Sequence, residues 1–153
     1  MHSIFIIGSM ILFLFSGQAF AQPIAKHLLD AKPAEGLLID VEKWFQEHPI
    51  EKGNVKAETV FQSPRGQVLF LRGKGSYLPR HIHSHVDEIQ YIYKGRGEVY
   101  LNGKWVPCKA GEFHAAPRGV AHAVRTAGDE EIWLICFFTD PVPPPNDRIV
   151  IDE

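Results

Sequence analysis

The chain has 153 residues, with 16 Lys+Arg against 18 Asp+Glu and a formal net charge of −2. Near-neutral charge excludes a protein that works through bulk attraction to nucleic acid, and 45% hydrophobic with 22% charged residues excludes disorder throughout. Two Cys exclude a disulfide-dense scaffold, whereas eight His are unusual, and five of them (His81, His83, His85, His114 and His122) fall in the middle of the chain.

Residues 4–15 are an uncharged apolar run, shorter than the roughly 20 residues that a bilayer span needs. Ser16-Gly17-Gln18 and then Ala19-Phe20-Ala21 come next, the last a small-x-small cleavage pattern. Residues 1–21 are therefore expected to be a signal peptide cut after Ala21, leaving a periplasmic or secreted protein with no membrane association after cleavage. In that oxidising compartment Cys108 and Cys136 can form one disulfide. Two buried free thiols acting as small hydrophobes are the alternative.

Residues 22–54 read as a helical N-terminal extension. Lys26-His27-Leu28-Leu29 suits a short turn of helix. Asp40 is an N-cap candidate for a helix over 41–48. Val41, Trp44, Phe45 and His48 recur at helical spacing and form one apolar stripe, expected to pack on a sheet. Pro49 ends it.

From residue 55 the period changes to that of short strands, predicted over 56–62, 66–72, 77–83, 87–93, 97–101, 104–107, 112–116, 120–126 and 131–139. Turn residues separate them, and Asn102-Gly103 is the strongest signal, because both residues tolerate the positive φ of a type I′ hairpin. Many short strands at regular spacing predict a β-sandwich or barrel over 55–140. Ile132–Phe138 is apolar at nearly every position, as in a strand buried on both faces. Residues 141–153 form a Pro-rich tail, whose Pro141-Val142-Pro143-Pro144-Pro145 is stiff and suited to lie along the surface or against a partner subunit.

His81 and His83, two apart on one predicted strand, share a face. A turn comes after them, and Glu88 opens the next strand, where it can rejoin them. His122 lies on a third strand after a Gly-containing turn. Three imidazoles and one carboxylate make a mixed nitrogen and oxygen site for a divalent first-row metal, with positions left open for water or substrate.

Two glycine frames enclose these residues. The first runs Gly75, five residues, His81-Ile82-His83, four residues, Glu88, six residues, Gly95. The second runs Gly111, five residues, Pro117-Arg118-Gly119, two residues, His122. This pair resembles the two-motif signature of the cupin superfamily over about residues 65–140. Thr126 stands where the pattern usually has Asn, a position that is not a metal ligand in that family.

The resemblance implies an all-β protein, a double-stranded β-helix or jelly roll, here with a short N-terminal helical segment. It also implies one divalent transition metal (Fe, Mn, Ni, Co or Zn) held by His81, His83, Glu88 and His122. The function expected is that of a metal-dependent enzyme acting on a small molecule, dioxygenase-like in preference. The alternatives are a Lewis-acid isomerase, decarboxylase or lyase, and a non-catalytic protein that binds a small molecule or metal. A homodimer is expected, with the apolar 132–138 run at the interface, and nucleic acid is not expected as a partner.

Gln90 shares the inward face of Glu88 and is a candidate to hydrogen-bond a metal-bound water or substrate. Tyr77, with the parity of His81, is a candidate to line the cavity. Tyr91 has the opposite parity to Glu88 and is expected between sheet and helix. His85 is expected at the mouth and solvated; a rival ligand set of His83, His85 and Glu88 fits the glycine spacing less well. His114 is expected to face out, and Arg118 to be a solvated turn residue.

Overall fold

The computed structural model describes residues 36–140 and 147–151. The expected signal peptide at 1–21, the turn at 26–29 and the proline run at 141–145 lie outside the described residues. The chain divides into Met1–Leu38 and Ile39–Glu153, and every helix and strand named below belongs to the second unit. Among the described residues no helix is long and apolar enough to cross a membrane.

Helix α1 spans Val41–Glu47. Asp40 caps it, its carboxylate accepting a hydrogen bond from the Lys43 amide at 3.0 Å. His48, the residue that ends the helix, stacks its ring on Trp44 at 4.0 Å, and Pro49 comes directly after.

Ten strands come next among the described residues: β1 (Asn54–Ser63), β2 (Gly66–Lys74), β3 (Tyr77–His83), β4 (Glu88–Lys94), β5 (Arg96–Leu101), β6 (Lys104–Lys109), β7 (Phe113–Ala116), β8 (His122–Thr126), β9 (Glu131–Phe138) and β10 (Arg148–Val150). They form two five-stranded antiparallel sheets, ordered β1-β2-β9-β4-β7 and β10-β3-β8-β5-β6. Leu71, Ile92 and Leu134 from the first sheet and Val99 and Val124 from the second belong to one buried core. This is the double-stranded β-helix that the two motifs imply. Strand β10 is additional to the nine that the sequence predicts; it pairs with β3 in the register Arg148↔His83, Ile149↔Ile82 and Val150↔His81.

Two turns show why particular residues are required. Asn102 and Gly103 both have positive φ, 52° and 82°, and set the β5–β6 register Leu101↔Lys104. Gly95, the last glycine of the first motif, has φ 88°, and a Cβ there would stand 2.1 Å from the Glu131 carbonyl oxygen. Only glycine permits both the left-handed backbone and that approach.

The apolar run 132–138 is buried for a different reason from the one expected. Ile132, Leu134, Cys136 and Phe138 face the core between the sheets. Trp133 and Ile135 face the other way, into a second cluster with Phe45 and Phe70 under α1. The helix of this same chain covers the outer face, so the double-sided burial does not require a subunit interface; Phe137 remains exposed. Tyr93, not Tyr91, takes the place between sheet and helix, stacking with Phe45 at 6.3 Å. Buried Arg72 ties the layers together. Its guanidinium donates to Glu131 and to the carbonyls of Phe45 and His48, and lies 5.0 Å over the Trp133 ring. Cys108 and Cys136 are free and buried on different sheets, so the disulfide alternative is not realised. Burial and the nearby Glu112 carboxylate raise the Cys108 thiol pKa to about 11. Burial likewise pushes Cys136 well above the ordinary thiol range, so both behave as small hydrophobes.

Candidate metal centre

The inner ends of β3, β4 and β8 meet at His81, His83, Glu88 and His122. All four are buried, and one ligand atom from each lies within 4.8 Å of the others. Strand register explains the convergence. His81 pairs directly with His122 across β3 and β8, which puts their side chains on one face. His83 lies two residues on, and Glu88 opens β4 in the facing sheet.

The Glu88 carboxylate sits among the imidazoles. It accepts from His122 Nε2 at 2.8 Å, and His83 Nε2 lies 3.3 Å away. Burial alone raises the Glu88 pKa, but hydrogen bonds from His122 and His83 outweigh it and hold the carboxyl well below the usual range. Burial lowers the pKa of His122, but its bond to Glu88 reverses this and leaves it raised. His122 also donates from Nδ1 to the Val120 carbonyl at 3.0 Å, so both of its nitrogens act as donors, as in an imidazolium. Burial and the neighbouring His122 depress His81 to about 4, which keeps it neutral near pH 7. A buried carboxylate needs a compensating cation. His122 supplies one in the metal-free protein, and a divalent ion in its place suits three nitrogens and one oxygen.

Gln90 is buried on the same inward face, and its Nε2 donates to Glu88 Oε1 at 2.7 Å. Its Oε1 is buried without a hydrogen-bond partner. His114 departs from expectation. Strand β7 pairs with β4 in the register Gln90↔His114, which turns His114 inward beside Gln90. It is 8% exposed, and neither ring nitrogen has a hydrogen-bond partner. Burial lowers its pKa to about 4, and Glu88 is the charged group that opposes the shift.

Tyr77 does not line this cavity. One extra residue lies between Leu78 and His81 relative to the opposing Val124–His122 stretch of β8. This bulge breaks the expected parity. Leu78 packs on the core, and Tyr77 is 60% exposed. It borders an open groove with Arg80, Trp105 and Arg125 on the outer face of its sheet. His85 is exposed, as expected, but its Nδ1 also lies 2.8 Å from Asp147 Oδ1. Arg118 is an exposed turn residue whose amide donates to Asp87 at 2.8 Å.

Fold and site together define a cupin domain within the chain: residues 68–138 match the family model described as Cupin domain. Among its relatives, a polyketide synthase CurC from Streptomyces cyaneus is 31% identical over 78 residues, which cover 51% of this chain and 51% of that protein. An oxalate-binding protein from Thermotoga maritima is 37% identical over 70 residues, 44% of this chain and 58% of that protein. The chain thus spans between half and three fifths of the length of these two relatives. A Klebsiella pneumoniae protein with a double-stranded β-helix domain superposes with a TM-score of 0.64 at 18% identity, over 78% of this chain and all of that one. A predicted oxalate decarboxylase from Thermotoga maritima gives 0.54 at 25% identity, over 58% and 83%.

Proposed function

We propose that this is a metal-dependent protein acting on a small, oxygen-chelating acid. The observation that carries the reading is the pair beside the ligand cluster. Gln90 Oε1 and both His114 nitrogens are buried, polar and unpartnered at paired positions of β4 and β7. Leaving such atoms unmet costs roughly 1–3 kcal/mol each, so a site that keeps them is arranged for a polar occupant. Neutral His114 donates from one nitrogen, as an ionised acid requires, and accepts at the other; Gln90 Oε1 accepts, and so suits a water that accompanies the acid. The resemblance to an oxalate-binding protein supports a dicarboxylate as the first ligand to test.

A metal ion held by His81, His83, Glu88 and His122 would supply Lewis acidity and a place for a chelating oxygen pair. The protein's own contribution is to bind and orient: Gln90 holds Glu88 Oε1, and His114 would donate to the acid. The dioxygenase reading is the oxidative form of this proposal. Oxygen uptake with chelating acids, diols or diketones supports it, whereas turnover without uptake assigns the site to Lewis-acid decarboxylation, isomerisation or elimination.

The direct test is metal analysis and then oxalate titration of the loaded protein. About one equivalent of transition metal is expected, lost in a His83→Ala, His122→Ala variant that remains folded. Gln90→Leu and His114→Leu should keep the metal and weaken oxalate binding at least tenfold; unchanged binding in both would exclude the assigned pair. Export is part of the proposal, checked by N-terminal sequencing of protein recovered from a periplasmic extract, where Gln22 should be the first residue. The homodimer is a further part, checked by light scattering. It would cover Phe61, Ile89, Phe113 and Phe137, all exposed on the outer face of the first sheet.

A further inference from the structure

Each imidazole of the cluster has an outer ring nitrogen, and the three are held differently. His81 Nδ1 donates to the Pro79 carbonyl at 2.8 Å. His122 Nδ1 donates to the Val120 carbonyl at 3.0 Å. In both cases the acceptor lies two residues back along the chain. His83 Nδ1 is buried without a hydrogen bond, and the acceptor that faces it, at 3.7 Å, is Asp147 Oδ2.

Asp147 is far from either motif in sequence. It stands immediately before β10, and the Arg148↔His83 pairing of that strand brings it behind His83. Its side chain is fully buried. The Ser84 and His85 amides donate to it, each at 3.0 Å. The Ser84 hydroxyl also donates to Oδ1, and His85 Nδ1 is 2.8 Å from the same oxygen. These contacts fix both carboxylate oxygens and aim one at the ligand imidazole.

We propose that Asp147 is a positioning residue for the metal centre, fixing the ring orientation and Nδ1–H tautomer with which His83 presents Nε2 to the ion. The proposal rests on the metal reading above. A carboxylate behind a ligating imidazole sets its tautomer and raises its basicity. His81 and His122 obtain the orienting effect from backbone carbonyls, which no substitution of those residues' neighbours would easily remove. His83 obtains it from a side chain delivered by the last strand, so β10 becomes part of the centre.

The test uses the full chain with Co(II) alone as the probe, reading the dissociation constant, the visible spectrum and the melting temperature of the metal-free protein. Asp147→Asn keeps the shape and one oxygen acceptor, leaving either the Ser84 donors on Oδ1 or the His85 amide on Oδ2 without its partner, and removes the charge. It and Asp147→Ala should bind Co(II) about 10–100-fold more weakly, the range seen when such outer partners are lost. The Co(II) bands should shift, and Asp147→Glu should recover part of the affinity. His85→Ala, which removes only the exposed partner, should bind as the wild type does. Asp147 variants with wild-type affinity and spectrum, altered only in melting temperature, would show that Asp147 merely anchors the turn; this overturns the proposal and leaves the metal reading intact. A wild-type chain that takes up no Co(II) overturns both.

Discussion

His122 and Glu88 set the proton balance of the centre. The folded-state pKa of His122 is raised, so its pairing with Glu88 stabilises the metal-free protein fully below about pH 6.5, the ordinary imidazole value. That contribution is lost as the pH rises through the raised value. Glu88 is shifted down, so its contribution is present above the ordinary carboxylate value and is lost only in strong acid. A metal competes with the proton on His122 Nε2. Metal affinity should therefore rise with pH until His122 has given up that proton, above the ordinary imidazole value, with protons released on binding. Calorimetry in buffers of different ionisation enthalpy measures both, and a pH-independent affinity would refute the pairing.

At the same scale, the four ligand residues are legible from sequence because spacing along strands translates directly into a shared face. Gln90 is placed by the same rule. Tyr77 and His114 are not. Tyr77 is turned outward by the bulge at Pro79–Arg80, which alternation cannot anticipate. His114 is turned inward by pairing with Gln90 on a strand that is not its neighbour in the chain, so local pattern holds no trace of it. Asp147 has no local signal at all.

Among the elements, α1 is the easiest to read and the most consequential for packing. Asp40, the apolar stripe and Pro49 mark its ends and its buried face. Phe45 is fully buried and stacks on Phe70 at 5.2 Å and Trp133 at 4.7 Å. Phe45→Ala should cost about 3–5 kcal/mol, read as a lower denaturant midpoint with metal stoichiometry unchanged, because the cluster under the helix is separate from the ligand cavity. The strands β1 to β9 are legible through alternation and their turns. Strand β10 is not, because three residues after a proline run have no periodicity to read, and only its pairing with β3 makes it a strand.

For the whole molecule, the centre joins elements from both sheets, so a metal bound there should stabilise the entire domain. A ligand bound only by the native state adds about 2.7 kcal/mol at a hundredfold excess over its dissociation constant. Removing the metal with a chelator should lower the melting temperature by roughly 2–4 °C per kcal/mol lost. Calorimetry before and after chelation, with recovery on adding metal back, checks this. An unchanged melting temperature in a protein shown to bind metal would mean that the ion also binds the unfolded chain.

What the sequence determined by itself is whatever a short stretch encodes: the helix and its cap, nine strands, the Asn102-Gly103 hairpin and four ligands at cupin spacing. These depend on periods of two and 3.6 residues and on backbone angles that single residues permit. Tertiary structure alone decided that α1 covers Trp133 and Ile135 on the outer face of β9, that His114 faces Gln90, and that the end of the chain returns to place Asp147 behind His83. Each of these depends on which strand lies beside which, and register between strands distant in sequence is settled only when both sheets close on their common core.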